Sequence, residues 1–347
     1  MKKKLLRARY QSGEGGYASL DARAREAREA FVAAHAPDTA LVPQRCVVCQ
    51  GTEMTVVGEI DRYGFYYPTG LCDCCGTVQQ ALYYPEEVLA DFYAQFYRRL
   101  YGHPQPDGLF AHQRRMVGPE ISAAVAPLVT PRTVLEVGCG AGGTLSVFRD
   151  QGCRVLGLDF DRDYLAAAGR NGVETRRGSL EQLQPGETFD LIIVCHVLEH
   201  ISDPLAFLLR LRDHLSPGGV LYIEVPSLND VSAGAYQFDL RNYWHISHKV
   251  HFSSRSLALL GKRAGLTCLQ ADQRIASCWG RAEAPQPLTA EEMAASLAEN
   301  TALLEQIERN RTSLKVNPRF VVRAVRRFAL RQLDRLGLKD TVKRMLS

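Results

Sequence analysis

Apolar and polar positions change rhythm along the 347-residue chain. From 132 onward, apolar runs at 133–137, 154–158, 190–195 and 219–225 alternate with helical or loop segments, the pattern of parallel βαβ units. A helix over roughly 254–264 precedes two candidate strands at 266–271 and 274–279, and from 288 the pattern is helical, broken by Pro318 and Gly337. Upstream, Asp21–His35 is rich in Ala, Arg and Glu and predicts a helical arm. Residues 46–80 combine cysteines, glycines and β-formers, which predicts a ribbon of short strands. Phe92, Tyr93, Phe96, Tyr97 and Tyr101 recur mostly three or four apart and predict a helix before the Pro-rich stretch at 104–106.

These rhythms divide the chain into a helical arm (1–45), a ribbon module (46–84), an aromatic helical linker or lid (85–118), an α/β domain (119–285) and a basic helical extension (286–347). The aromatic helix has two readings. Its rings either fill the core against the ribbon or stack on a ligand as a lid.

Composition adds limits. With 46% hydrophobic and 23% charged residues the chain is an ordinary globular one. No apolar run reaches eighteen residues, so no transmembrane helix is expected, and no apolar stretch follows the basic N-terminus to make a signal peptide. Five of the ten cysteines fall within 46–75, which reads as a metal site in a reducing compartment and places the protein in the cytoplasm. The net charge of +4 is uneven: residues 311–347 carry eleven Lys/Arg against Asp334 and Asp340, leaving the rest of the chain net negative. Between Arg319 and Leu336, Val322, Val325, Ala329, Leu333 and Leu336 face away from Arg323, Arg327, Arg331 and Arg335. Such a basic amphipathic helix suits peripheral contact with an anionic membrane, docking on its own domain, or a homodimer.

The candidate chemistry begins at Val134–Gly143 (VLEVGCGAGG), where Gly138, Gly140 and Gly142 follow a strand containing Glu136. A tight turn against a nucleoside needs bare backbone, but Gly138, Gly140 and Gly143 also satisfy the dinucleotide pattern of an oxidoreductase. Asp159 ends the next strand, where a carboxylate can accept from both ribose hydroxyls. It serves either cofactor. Further on come Phe189–Asp190, the segment Cys195-His-Val-Leu-Glu-His200, and Pro217-Gly-Gly219 before the fifth strand.

In this order the chain resembles the class I S-adenosylmethionine-dependent methyltransferases over roughly 114–285. The resemblance implies an α/β fold with a Rossmann-like seven-stranded methyltransferase sheet, a small N-terminal zinc ribbon and a helical C-terminal extension. It implies that Glu136, Gly138, Cys139, Gly140 and Gly142 line the methionine and ribose side of S-adenosylmethionine. Asp159 would then hold the ribose, Phe160 pack on the adenine, Ser179 and Leu180 meet the adenine edge, and Cys195 and His196 offer backbone near the sulfonium.

Cys46-x-x-Cys49 and Cys72-x-x-Cys75-Gly76 form two knuckles able to give four thiolates to one tetrahedral zinc, with Cys74 left over. A closed site of that kind is structural. The module resembles one found ahead of methyltransferases of bacterial sugar and polysaccharide pathways, including sugar C-methyltransferases.

Three histidines crowd the crossover after the fifth strand: His245, His248 and His251. Imidazole can take a proton near neutral pH, which makes these the candidate catalytic residues, with His248 preferred as base and His251 suited to capping the next helix. His200 with two of these histidines offers a metal alternative, for which no supporting carboxylate pair is evident. The expected reaction is methyl transfer to a small-molecule, nucleotide-sugar or glycan acceptor, foremost a sugar hydroxyl. C-methylation of a nucleotide-linked ketosugar is the alternative. An RNA substrate fits poorly because the ribbon carries little positive charge, and a non-catalytic scaffold fits poorly with an intact cofactor signature.

Overall fold

The computed structural model of the chain describes residues 2–12, 20–35, 41–102, 104–272 and 275–318. Its N-terminal part is a small sheet. Strand β1 (Lys2–Lys3) runs parallel to β3 (Met54–Ile60), which pairs antiparallel with β4 (Tyr66–Cys72), itself paired with β5 (Val78–Gln80). A separate two-stranded ribbon joins β2 (Val42–Pro43) to β6 (Leu82–Tyr83). The Asp21 side chain caps helix α1 (Ala22–Ala34), which buries Ala24, Ala27 and Phe31. Phe31 meets Phe65, Phe92 and Phe96 edge-on at 5.2–5.4 Å between centroids, a geometry that suits ring quadrupoles.

The aromatic stretch is one helix. Segment α2 (Glu86–Asp91) passes through a π-turn at Phe92–Phe96 into α3 (Tyr97–Tyr101), and Gly102, with φ +77°, ends it. Phe92, Phe96 and Leu100 enter the core, while Tyr97 and Tyr101 are only partly buried beside it. The next helix is also interrupted by a π-turn, at Gln113–Val117, which joins α4 (Pro106–His112) to α5 (Gly118–Val125). Pro119 lies in the first turn of α5, where proline is tolerated.

The α/β part is a seven-stranded sheet in the order Leu266–Ala271, Ala276–Arg281, Leu215–Glu224, Phe189–Cys195, Thr133–Val137, Arg154–Asp159, Thr175–Arg177. Its parallel strands are β7 (Thr133–Val137), β8 (Arg154–Asp159), β9 (Thr175–Arg177), β10 (Phe189–Cys195) and β11 (Leu215–Glu224). Helices α6 (Gly143–Asp150), α7 (Arg162–Arg170) and α8 (Pro204–Asp213) connect them. The central strands are buried on both faces, as a helix-covered parallel sheet requires. After β11 the chain makes two short helices, α9 (Leu228–Ala233) and α10 (Leu240–Tyr243), then β12 (Val250–His251) and α11 (Ser254–Arg263). The last hairpin, β13 (Leu266–Ala271) and β14 (Ala276–Arg281), inserts β14 antiparallel beside β11.

The two parts share a sheet. Strand β12 pairs antiparallel with β5, with Val250 opposite Gln79 and His251 opposite Val78, so the histidine crossover is the edge strand of the N-terminal module. Helix α12 (Ala290–Thr312), opened by a Thr289–Glu292 capping box, closes over that module. Asn300 Nδ2 donates to the Gly76 carbonyl at 3.0 Å, and a Cβ on Gly76 would lie 2.6 Å from the Leu297 Cα. No helix of the described residues is long and apolar enough to cross a membrane. The basic helix expected over 319–336 lies outside the described residues.

Candidate active site

Three glycines in five residues take left-handed φ after β7: Gly138 at +76°, Gly140 at +53° and Gly142 at +78°. A side chain at Gly138 would be strained twice over, since its Cβ would also stand 2.4 Å from Val197 Cγ2. The resulting turn exposes amides to the acid of the neighbouring strand. Gly140 N–H donates to Asp159 Oδ2 at 2.8 Å, and Asp161 N–H donates to Asp159 Oδ1 at 2.9 Å. Glu136, 2% exposed, keeps Oε2 without a hydrogen-bond partner among the described residues, and burial pushes its carboxyl well above the usual range. Phe160 stands 67% exposed beyond Asp159, Leu180 is buried, and the Ser179 amide donates to Glu181.

The helix running through Gln113 covers this loop from outside. Gln113 Nε2 donates to the Cys139 carbonyl at 3.0 Å, and its Oε1 accepts from the Gly143 amide at 3.2 Å. Arg98 of α3 pairs with Asp161 at the rim.

The carboxyl ends of β10 and β11 meet the histidine crossover. Cys195 ends β10, and His196 follows it in a left-handed conformation (φ +55°), with Nε2 3.3 Å from Glu224 Oε1. Burial opposes charge on His196, but Glu199 and Glu224 outweigh that and raise its pKa to about 10. Glu199 and His200 sit in the turn Leu198–His200. Glu199 is 1% exposed, and neither carboxylate oxygen has a hydrogen-bond partner among the described residues. Around it converge His196 Nδ1 at 3.7 Å, His200 Nε2 at 3.7 Å and His248 Nε2 at 3.8 Å. His245 stacks on His248 with centroids 3.5 Å apart, and its Nδ1 faces Ser247 Oγ at 2.6 Å and Tyr101 Oη at 3.2 Å. Burial pushes His245 and His248 well below the usual imidazole range, so both are neutral.

The N-terminal module holds this crossover at many points. Asp61 Oδ2 accepts from the Ile246 amide at 3.1 Å, Arg62 N–H donates to the Trp244 carbonyl at 2.8 Å, and Gln80 N–H donates to the Lys249 carbonyl at 2.9 Å. The Tyr67 hydroxyl donates to the His248 carbonyl and lies 2.9 Å from His251 Nε2.

The four knuckle sulfurs lie within 4.8 Å of one another, Cys46–Cys75 and Cys49–Cys72 both at 3.5 Å. Cys49 and Gly51 amides point at sulfur, the arrangement that supports thiolates around a zinc ion. Cys74 is exposed and outside the cluster.

Residues 110–271 match the family model described as a methyltransferase domain. Those residues form a methyltransferase domain, built on the seven-stranded sheet described above. It is similar to a ubiquinone biosynthesis O-methyltransferase of Bradyrhizobium sp. (strain ORS 278), 33% identical over 102 residues that make 28% of this chain and 40% of the relative. A probable S-adenosylmethionine-dependent methyltransferase of Mycolicibacterium smegmatis is 35% identical over 106 residues, 30% of this chain and 41% of that protein. The chain therefore spans less than half the length of these curated relatives. Among solved structures it is similar to Burkholderia thailandensis 1,6-didemethyltoxoflavin-N1-methyltransferase, with 19% identity over 60% of this chain and 96% of that one, at a TM-score of 0.44.

Within the methyltransferase domain the expected cofactor residues lie together: the Glu136–Gly142 strand and loop, with Asp159 bonded to it. Glu136 with its unpartnered oxygen, the glycine cradle and exposed Phe160 fit S-adenosylmethionine. Of the three catalytic candidates, His245 and His248 join the cluster around Glu199. His251 faces the other way, fully buried against Tyr67 and Tyr243, and burial takes its pKa down to about 3. Sequence reasoning missed Glu199, Glu224, Gln113 and Asp61. A readable signal existed for the first: it stands between His196 and His200. For the other three, only folding brings the partner close.

Proposed function

We propose that the chain methylates a hydroxyl of a small-molecule acceptor, foremost a sugar hydroxyl on a nucleotide-sugar or glycan. The carrying observation is the convergence of His196, His200, His245 and His248 on the carboxyl edge of the sheet, next to the glycine loop. S-adenosylmethionine supplies an electrophilic methyl carbon on sulfur. The chain's part is to bind that cofactor through Glu136 and Asp159 and to strip the acceptor of its proton. His248, whose Nε2 stands 3.8 Å from Glu199, would take that proton. The acceptor oxygen then bonds to the methyl carbon as the carbon–sulfur bond breaks onto sulfur. Tyr93, Tyr97 and Tyr101 border the histidines and offer rings for an acceptor to stack on, so the aromatic helix serves as both core and wall.

The relatives named as ubiquinone biosynthesis O-methyltransferases support oxygen as the methylated atom, with acceptors other than sugars as the second class. A screen of labelled methyl transfer onto nucleotide-sugars, glycans and phenols tests the reading, with His248→Asn as control. Transfer to a hydroxyl that His248→Asn abolishes supports it. Transfer that His248→Asn leaves intact contradicts the role of the crossover.

We further infer that Cys46, Cys49, Cys72 and Cys75 hold one structural zinc. Its work is indirect: it sets β4 and β5, to which the histidine strand β12 is paired.

A further inference from the structure

Glu199 poses a chemical problem. A carboxylate that is almost wholly buried should be bonded on both oxygens, because an unpaired polar oxygen in a low-dielectric site is costly. Here neither oxygen has a hydrogen-bond partner among the described residues, yet three imidazole nitrogens surround one of them at 3.7–3.8 Å. Those distances are too long for hydrogen bonds.

The tautomer of His200 sharpens the problem. Its Nδ1 lies 2.8 Å from the Ser247 carbonyl, which can only accept, so Nδ1 carries the proton. With Nδ1 so engaged, Nε2 is the ring atom left facing the carboxylate, 3.7 Å from Glu199 Oε1, and a metal ion between them would bond to both. Ligands about 2.1 Å from one ion stand about 3–4 Å from each other, and His200 Nε2 and His248 Nε2 stand 3.7 and 3.8 Å from Glu199 Oε1. Glu199, His200 and His248 each place a donor within 4.8 Å of the others. The His200 Nδ1–carbonyl bond is also the outer support that a metal-bound histidine characteristically has. The Lys249 amide donates to the Glu199 carbonyl at 2.8 Å and fixes the backbone of both segments together.

We propose that Glu199, His200 and His248 hold a divalent transition-metal ion. Two imidazoles and one carboxylate select zinc or a neighbouring transition metal over magnesium or calcium, which prefer oxygen shells. The set is distinct from the four-thiolate cluster, and unlike that cluster it leaves a coordination position for substrate. An acceptor hydroxyl bound there loses its proton to water more readily, and its oxygen then attacks the methyl carbon. This rests on the acceptor-site reading above and changes the part of His248 within it, from base to ligand.

Metal counting on the full chain, dialysed against zinc and measured by elemental mass spectrometry, tests the proposal. Two zinc ions per chain are expected in the native protein and one in His200→Ala, His248→Ala and Glu199→Gln. Binding of S-adenosylhomocysteine within twofold of native shows that each variant is folded. One zinc in the native chain, or two retained in folded His200→Ala, overturns it. If the native chain holds one zinc and His248→Asn still abolishes transfer, the metal falls and the acceptor-site reading stands. If it holds two, lost in the variants, while those variants transfer at native rates, the ion stands and the acceptor-site reading falls.

Discussion

The Asp61 carboxylate, fully buried in the N-terminal module, accepts a hydrogen bond from the Ile246 amide at 3.1 Å, inside the segment that carries His245 and His248. One carboxylate thus ties the cysteine module to the candidate acceptor site. Desolvation raises its pKa to about 7, against partial relief from three backbone amides, Phe65 first. In the unfolded chain it would titrate near 4. The folded state therefore binds the proton more tightly, and this group's contribution to stability falls as pH rises from about 4 to about 7, then levels off. Thermal midpoints of native protein and Asp61→Asn, compared at pH 5.5 and 8, should show the native protein losing ground to the variant as pH rises. The cysteine cluster titrates equally in both. A constant difference would contradict the shift.

Glu136 carries a cost of the same kind for a different purpose. Its buried oxygen without a partner destabilises the cofactor-free fold at neutral pH. Glu136→Gln should keep or raise the cofactor-free thermal midpoint while weakening S-adenosylhomocysteine binding by about tenfold or more, roughly 1.4 kcal/mol. Calorimetric titration and a melting curve check both signs.

Gln113 bonds the glycine loop at both ends. Gln113→Ala should lower cofactor affinity about fivefold to tenfold, roughly 1–1.4 kcal/mol, by loosening that loop with little loss of overall stability. An unchanged dissociation constant in calorimetry would show that the loop holds its shape alone.

Zinc removal should reach the histidines through strand pairing. With the thiolates unligated, β4 and β5 lose their anchor, and β12 depends on β5. Cys72→Ser, or chelation of the native chain, should speed hydrogen exchange at 245–251 and lower the thermal midpoint. Exchange confined to 46–80 would separate the two regions.

Much of this organisation was legible in the chain. The apolar runs at 133–137 and 190–195 mark central strands because a doubly covered sheet demands apolar residues on both faces. Strand β9 escaped notice because Thr175-Arg176-Arg177 is short and polar at the sheet's edge. The knuckle spacing set Cys46, Cys49, Cys72 and Cys75 apart from Cys74, and the sulfurs cluster accordingly. What periodicity could not show was the pairing of β12 with β5, which joins residues some 170 positions apart. Without it, His251 reads as a neighbour of His248. With it, alternation along the strand turns His251 toward Tyr67, away from Glu199.

The claim on which the rest depends is that the transferable methyl faces the Glu199 histidine group. A crystal structure of the full chain with S-adenosylhomocysteine tests it without knowledge of the acceptor. The ribose should lie on Asp159, the adenine beside Phe160, and the sulfur should point at His196 and His248 with room between for one hydroxyl-bearing group. A sulfur turned away from those histidines, or walled off from them by protein, would contradict it.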